Sequence, residues 1–309
     1  LRPLSSLEIE LGLRWDRQTL TAESEVSPRL QLLYLPGARS ALRLGWGRYV
    51  QPQEASELQV EDGVDRFSPA ERADLRSVRL DHTFLGGAHL GVEAYRKEMD
   101  HLRPRYENLL NPIQIFPETA PDRVRVSPAR SSARGIEILL SVDRNEPFRW
   151  WAGCALAAVE DEIQGQMVPR SWDQRRSFDF GLSYRRGDRW ELSLAGVYHT
   201  GWPSTAVGAG LTPGPDGTPI VQPILGPRNA DRYPSFHRLD VRASRQIRLG
   251  RGSLSLFVEV TNLYGRENVC CTTDLRYRPR ADGTVDVDRA EGHWLRGVPS
   301  FGLTWDFGP

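Results

Sequence analysis

The sequence predicts an all-β fold, an antiparallel up-and-down sheet of about twelve strands forming a segment of a transmembrane β-barrel, with short periplasmic turns and long extracellular loops. Three observations carry that expectation. Apolar and polar residues alternate along the whole chain, and helical periodicity is scarce. The strands so marked run to about ten residues or more, beyond the ~5–6 typical of soluble sheets and close to what a tilted membrane strand needs. The connections alternate between tight turns and long loops.

The strand patterns fall near residues 7–16, 27–35, 40–50, 72–84, 87–99, 133–143, 147–160, 175–186, 188–200, 236–249, 252–264 and 298–307. In the first, Ile9, Leu11, Leu13 and Trp15 make one face, and Glu8, Glu10 and Arg14 make the other. The third sets Leu42, Leu44 and Trp46 against Arg43. The sixth sets Ile136, Ile138, Leu140 and Val142 against Glu137, and the eighth sets Phe178, Phe180, Leu182 and Tyr184 against Asp179. In the tenth and eleventh, Leu239, Val241 and Ala243, then Leu254, Leu256, Val258 and Val260, oppose Asp240, Arg242 and Glu259. The last strand alternates Phe301, Leu303, Trp305 and Phe307 with Gly302, Thr304 and Asp306. Unpaired charges cannot fill a dry core, so the second face must meet water or a charge-paired interior.

Tight connections at 36–39, 85–87, 143–146, 186–188 and 250–252 hold the Gly, Asn and Asp that hairpins favour. Longer ones lie near 51–71, 100–132, 161–174, 201–235 and 265–297, with an intermediate one at 17–26. The two kinds alternate strictly, which puts all short turns at one end of the sheet. Trp15, Trp46, Tyr49, Trp150, Trp151, Tyr184, Trp190, Tyr198, Trp202, Trp305 and Phe307 cluster near strand ends, as in an interfacial aromatic girdle. A sandwich would need Greek-key crossings, and a propeller a repeat of ~40–50 residues that is not found here.

Composition narrows the classes further. Lys and Arg number 40, as do Asp and Glu, so the basic excess of a nucleic-acid binder is missing and no nucleic-acid partner is expected. Mean hydropathy is −0.47, and no run approaches the ~18 apolar residues of a membrane helix, a test that leaves a barrel open. Three cysteines, Cys154, Cys270 and Cys271, fit neither a disulfide scaffold nor a paired zinc motif. The opening LRPLSSLEIELGLRW has no charged segment followed by an apolar one and enters a strand at once, as a chain cut from something longer does.

Several stretches carry a family resemblance. SPRLQLLYLPGARSALRLGWGRYVQP (27–52) resembles paired strands and a periplasmic turn of TonB-dependent outer-membrane receptors. The stretch at 70–106 is similar to their next long hairpin, and ARGIEILLSVD (133–143) to the strand after a long outer loop. Most specific is 233–269, with HRLD, a tight turn and the ending V-x-N-L-[YF]-x-R-x-N-V. The resemblance covers nearly the whole chain. It implies a single partial domain over residues 1–309, the C-terminal portion of a barrel of about 22 strands, with the plug domain upstream. It also implies an outer membrane of a Gram-negative bacterium, and TonB-driven uptake of a scarce solute such as a ferric siderophore or cobalamin. The implied partners are outer-membrane lipid, a small-molecule ligand such as a metal chelate, and the TonB complex reached through the plug. A passive porin-like or adhesive barrel and a soluble β-rich carbohydrate binder are the alternatives.

No enzyme is expected: GxSxG, P-loop and GxGxxG motifs are absent, and His82, His89, His101, His199, His237 and His293 show no HxH or HExxH spacing. No cofactor or metal site is expected either; Cys270, Cys271 and His293 are the one set with metal-binding side chains in the same long loop. Cys270 and Cys271 leave two disulfide options open, a strained vicinal bridge or one bridge to a cysteine outside this chain. Candidate ligand-binding residues in the outer loops are Arg103, Arg105, Tyr106, Trp172, Trp202, Arg228, Tyr233 and Trp294, because guanidiniums and aromatics suit an anionic, partly aromatic ligand. Phe301, Leu303, Trp305 and Phe307 are expected to face lipid. Their strand is expected to pair with the eleventh on one side and to have no neighbour on the other. Gly308 and Pro309 after Phe307 depart from the aromatic end usual in the family.

Overall fold

The structure, a computed structural model, describes residues 3–143, 147–187, 189–250 and 252–307. The expected turn residues Arg144, Asn145, Glu146, Asp188 and Arg251, and the terminal Gly308 and Pro309, lie outside the described residues. Among the described residues there are twenty-one strands and three single-turn 3-10 segments. In order the strands are β1 (Leu7–Gln18), β2 (Glu23–Gly37), β3 (Ser40–Gln51), β4 (Glu71–Thr83), β5 (Ala88–Asp100), β6 (Arg105–Asn108) and β7 (Arg123–Val126). Next come β8 (Arg130–Val142), β9 (Phe148–Ile163), β10 (Gln166–Pro169), β11 (Arg176–Arg186), β12 (Trp190–His199), β13 (Pro203–Ser204) and β14 (Val207–Pro213). The rest are β15 (Pro219–Leu225), β16 (Asp231–Arg232), β17 (Phe236–Leu249), β18 (Gly252–Thr261), β19 (Val269–Pro279), β20 (Val285–His293) and β21 (Val298–Asp306).

All twelve expected strands form one antiparallel sheet, in the order β1-β2-β3-β4-β5-β8-β9-β11-β12-β17-β18-β21, with β10 added to β9. The register aligns their apolar sets. Leu11 faces Leu30, Leu32 faces Leu44, Leu42 faces Leu80, and Leu80 faces Val92. The row continues through Val92 and Ile138, Ile138 and Cys154, Cys154 and Phe178, and Leu182 and Leu194. It ends through Leu194 and Val241, Ala243 and Val258, and Val258 and Phe301. Because side chains alternate with period two, this register leaves one unbroken apolar face across every strand of the wall. It is widely exposed in this chain: Phe301 keeps 87% of its surface, Leu13 76% and Val258 59%.

The other face is polar and charge-paired. Arg79 reaches Asp81 at 3.0 Å and Glu93 at 3.3 Å, Arg185 reaches Glu191 at 3.0 Å, and Arg242 reaches Glu259 at 3.1 Å. Glycines on this face make room for aromatic rings. The indole of Trp151 lies where a Cβ on Gly181 would be, and the Phe257 ring would come within 2.5 Å of one on Gly302. The guanidinium of Arg242 covers that same Phe257 ring at 3.9 Å.

Three expectations are corrected. The first connection is a tight turn, not an intermediate loop: pairing runs on to Gln18 and Glu23, and Ala22 takes a positive φ of 57°. The strict alternation of short and long connections therefore fails at that one point. The segment 161–174 is partly strand, since β9 runs to Ile163 and turns through Gln164 and Gly165, both at positive φ, into β10. Of the expected girdle, Tyr49 and Trp151 lie on the polar face and Trp202 lies in a loop. Local alternation cannot show where a strand stops or which face a flanking aromatic takes; the register with the neighbouring strand does. As expected, β21 pairs with β18, and among the described residues it has no second partner.

Candidate ligand-binding surface of the long loops

The loops at one end of the wall carry structure of their own. Hairpins form from β6 with β7, β14 with β15, and β19 with β20, and β13 pairs with β16 across the loop between them. Ion pairs join these pieces. Asp161, 1% exposed, accepts from Arg170 at 2.7 Å and also from Arg105. Arg105 turns back on Glu107, which accepts from Arg228 and, at 2.6 Å, from the Ser171 hydroxyl. Asn229 donates to the Pro169 carbonyl at 2.7 Å. Nearby Asp173, also 1% exposed, accepts the Val159 amide at 2.7 Å, Arg175 at 2.7 Å, and Arg232. Three loops, 100–132, 161–174 and 201–235, are thus joined through two buried carboxylates and Glu107. Burial pushes the Glu107 carboxyl up, but Arg105, Ser171 and Arg228 outweigh it, and the net position is below the usual glutamate range.

The asparagines of the sequence motif position the last loop. Asn262, at a positive φ of 54°, donates through its amide to the Arg266 carbonyl at 2.9 Å and to the Leu295 carbonyl at 3.3 Å. Asn268 exchanges bonds with the His237 backbone, 3.0 Å in each direction, and its carbonyl accepts the Trp294 amide at 2.8 Å. Trp294 is thereby held over the polar face beside an aromatic cluster. His199 stacks on Phe236 at 4.8 Å and on Trp202 at 5.8 Å. Trp172 and Trp294 meet Trp202 edge-on at 4.6 and 6.4 Å. His199, Trp202, Phe236, Arg238 and Trp294 line an open cavity of about 480 Å³. Across the loop end, Arg103, Arg105, Arg125 and Arg170 line another of about 600 Å³ with Glu57 and Glu71.

The structure brings the eight candidate residues to this one end but divides them. Arg103 holds Glu57 at 2.7 Å and Glu71 at 3.4 Å. Arg105 and Arg228 belong to the ion-pair network just described. The Tyr106 hydroxyl donates to the Asp62 carbonyl at 3.2 Å, with the Arg123 guanidinium over its ring. The Tyr233 hydroxyl donates to the Leu110 carbonyl at 3.0 Å. Trp172, Trp202 and Trp294 form the aromatic cluster. Sequence reasoning missed Glu107, Asp161, Asp173, Asn229 and Phe236, because their partners lie in other loops and no local pattern marks them. Only the two motif asparagines carried a signal, which the resemblance registered without a role. Among the described residues no group of three or more His, Cys, Asp or Glu gathers as metal ligands, and Cys270, Cys271 and His293 do not converge.

A wall with one continuous apolar face, one charge-paired face and structured loops at a single end is the architecture of a segment of a membrane β-barrel. A family profile described as "TonB dependent receptor-like, beta-barrel" matches residues 2–263. The chain belongs to this TonB-dependent receptor family, whose place is the outer membrane of Gram-negative bacteria. No curated protein sequence matches the chain. Among solved structures it is similar to the ferripyoverdine receptor of the outer membrane of Pseudomonas aeruginosa, at 14% identity and a TM-score of 0.61, covering 99% of this chain and 37% of that one. It is also similar to the FrpB iron transporter of Neisseria meningitidis, at 15% identity, TM-score 0.59, and 97% and 43% coverage. A third is the ferric preacinetobactin receptor BauA of Acinetobacter baumannii, at 15% identity, TM-score 0.58, and 98% and 40% coverage. At these identities the likeness shows the fold. The chain spans about two-fifths of the length of each of these structures.

Proposed function

We propose that residues 1–309 are a single partial domain, the C-terminal portion of the barrel of a receptor that takes up a scarce solute by TonB-dependent transport, with a ferric siderophore as the first candidate. The aromatic cavity of His199, Trp202, Phe236 and Trp294, with Arg238 at its wall, carries this reading. It lies on the polar face beneath the loops, where a solute entering from outside would meet it. Stacked rings beside a guanidinium suit a planar, anionic, partly aromatic chelate. That three structural neighbours are receptors or transporters for iron or its chelates supports iron over cobalamin. In this reading Arg103, Arg105 and Arg228 hold the loops in place, and Trp172, Trp202, Tyr233 and Trp294 present the ligand surface. Lipid covers the apolar face, including Phe301, Leu303, Trp305 and Phe307. Coupling to the TonB complex runs through the plug, as in the family.

The test is binding by the full-length receptor in detergent. Iron-loaded pyoverdine, preacinetobactin and enterobactin and cyanocobalamin serve as probes, with growth under iron limitation as the cellular readout. Saturable binding of one ferric chelate, weakened about tenfold or more by Trp202→Ala, is expected for loss of a stacking anchor. Binding of cyanocobalamin alone would replace the iron reading. No binding of any probe, with free diffusion of small solutes through the barrel, would favour a passive pore.

A further inference from the structure

Cys270 and Cys271 lie at the start of β19, both nearly inaccessible at 4% and 3% exposure. Their Sγ atoms are 2.8 Å apart. In a regular strand successive side chains point to opposite faces, so neighbouring cysteines do not meet. Here the register with β20 shifts between Val269 and Cys271, which leaves Cys270 as the extra residue of a β-bulge. On the facing strand stands Gly292. A Cβ there would come within 2.6 Å of the Cys271 sulfur and 3.2 Å of the Cys270 sulfur, so the partner strand leaves open the room that the two sulfurs occupy. The next residue is a junction between loops. The Thr272 amide donates to the Leu110 carbonyl at 2.8 Å, and its hydroxyl meets the Tyr233 hydroxyl at 3.2 Å.

We propose that Cys270 and Cys271 are joined by a vicinal disulfide, which fixes this bulge and with it the docking of the 100–132 loop on Thr272. The envelope is an oxidising compartment, and the bridge forms there by exchange with a protein disulfide. One cysteine thiolate attacks that disulfide, forming a mixed disulfide and expelling one thiolate. The second cysteine thiolate then attacks the first cysteine's sulfur, closing the ring and expelling the other. The two protons lost by the cysteines end on the two expelled sulfurs, and the protein disulfide is reduced to a dithiol. Burial and the hydrogen bond to Cys270 push the Cys271 thiol up to about 12, so thiolate is scarce once the loop is docked. Both sulfurs are nearly inaccessible in the docked loop, so exchange with an outside thiol or disulfide needs the loop open. The third cysteine, Cys154, sits on the apolar face of β9 within the wall, away from this junction.

Peptide mapping of the full-length protein from outer membranes tests the bridge. The protein is denatured without reductant, blocked with iodoacetamide and digested with trypsin, which cuts after Arg266 and Arg276 and leaves both cysteines in one peptide. The expected peptide is unalkylated and lighter than the dithiol by two hydrogens, and it gains two alkyl groups only when reductant precedes the block. A doubly alkylated peptide without reductant, or a crosslink from either cysteine to another peptide, overturns the proposal. The docking role is tested by protease nicking within residues 100–132. Nicking should rise in the Cys270→Ser, Cys271→Ser double variant and stay at the wild-type level in Cys154→Ser. No rise in the double variant, or an equal rise in both, removes that role.

Discussion

Asp161 holds two guanidiniums at once, from Arg105 and Arg170, in a site where it has almost no contact with water. Removing one partner of a buried pair strands the others, a larger effect than the net value of the pair itself. Asp161→Asn should therefore cost about 3 kcal/mol of loop stability, the low end of that range because both arginines keep some water. Hydrogen exchange should show it as faster opening of 100–132 and 161–174, with the wall strands unchanged. Glu107 gives the same network a pH limit. Its carboxyl lies lower in the folded protein than in the unfolded chain, so its contribution is fully present above the unfolded value and is lost as pH falls through the folded one. Loop protection should hold from pH ~8 down to about the ordinary glutamate value of ~4.3 and fail only below it. Loss of protection near pH 6 would show that a histidine, not this carboxylate, governs docking. Gly181 is constrained by a different force. A methyl group there meets the Trp151 indole, so Gly181→Ala should cost ~1–3 kcal/mol through overpacking, read as a lower unfolding temperature.

Strand β21 shows how an element's two faces carry different constraints. Phe301, Leu303 and Trp305 continue the apolar rows of Val258, Leu256 and Leu254, while Thr304 sits opposite Ser255 on the polar face. An arginine at Leu303 should cost ~2–4 kcal/mol if that face meets the bilayer midplane. Thr304→Arg should be nearly neutral. Heat-modified gel mobility of the full-length barrel distinguishes the two; equal effects would mean that the apolar face is not in lipid. The loop hairpins follow another logic. Their short strands bury only a few small apolar side chains, Val126, Val207, Cys270 and Cys271, and add ion pairs such as Arg123 with Asp62 and the fixed asparagines Asn262 and Asn268. They should open to denaturant before the wall does.

Across the whole molecule, an unbroken apolar face on twelve strands is what separates a membrane wall from a soluble sheet. A soluble sandwich buries such a face against a second large sheet, and among the described residues the other sheets are two-stranded pieces in the loops. The full-length protein should remain in the membrane pellet after an alkaline wash and need detergent for extraction, with an all-β circular dichroism spectrum. Release by the wash would remove the lipid assignment of this face. About half of the chain lies outside the twelve wall strands, and that half carries the three tryptophans of the candidate site, Trp172, Trp202 and Trp294.

The sequence by itself determined the twelve wall strands, their two faces and the end at which the loops gather. Period-two alternation and turn residues are local, and a twelve-residue strand repeats its signal often enough to be read. The HRLD and V-x-N-L-[YF]-x-R-x-N-V stretches pointed to the family for the same reason, since their asparagines act within a few tens of residues. Only the tertiary structure decided that Arg105 and Arg228 share Glu107, that Trp172, Trp202 and Trp294 meet, and that Cys270 and Cys271 stand over Gly292. The first two sets of contacts join loops far apart along the chain, and the third depends on the shifted register of β19 with β20. Their geometry is set by the sheet that brings the loop ends together, and no short-range pattern can encode it.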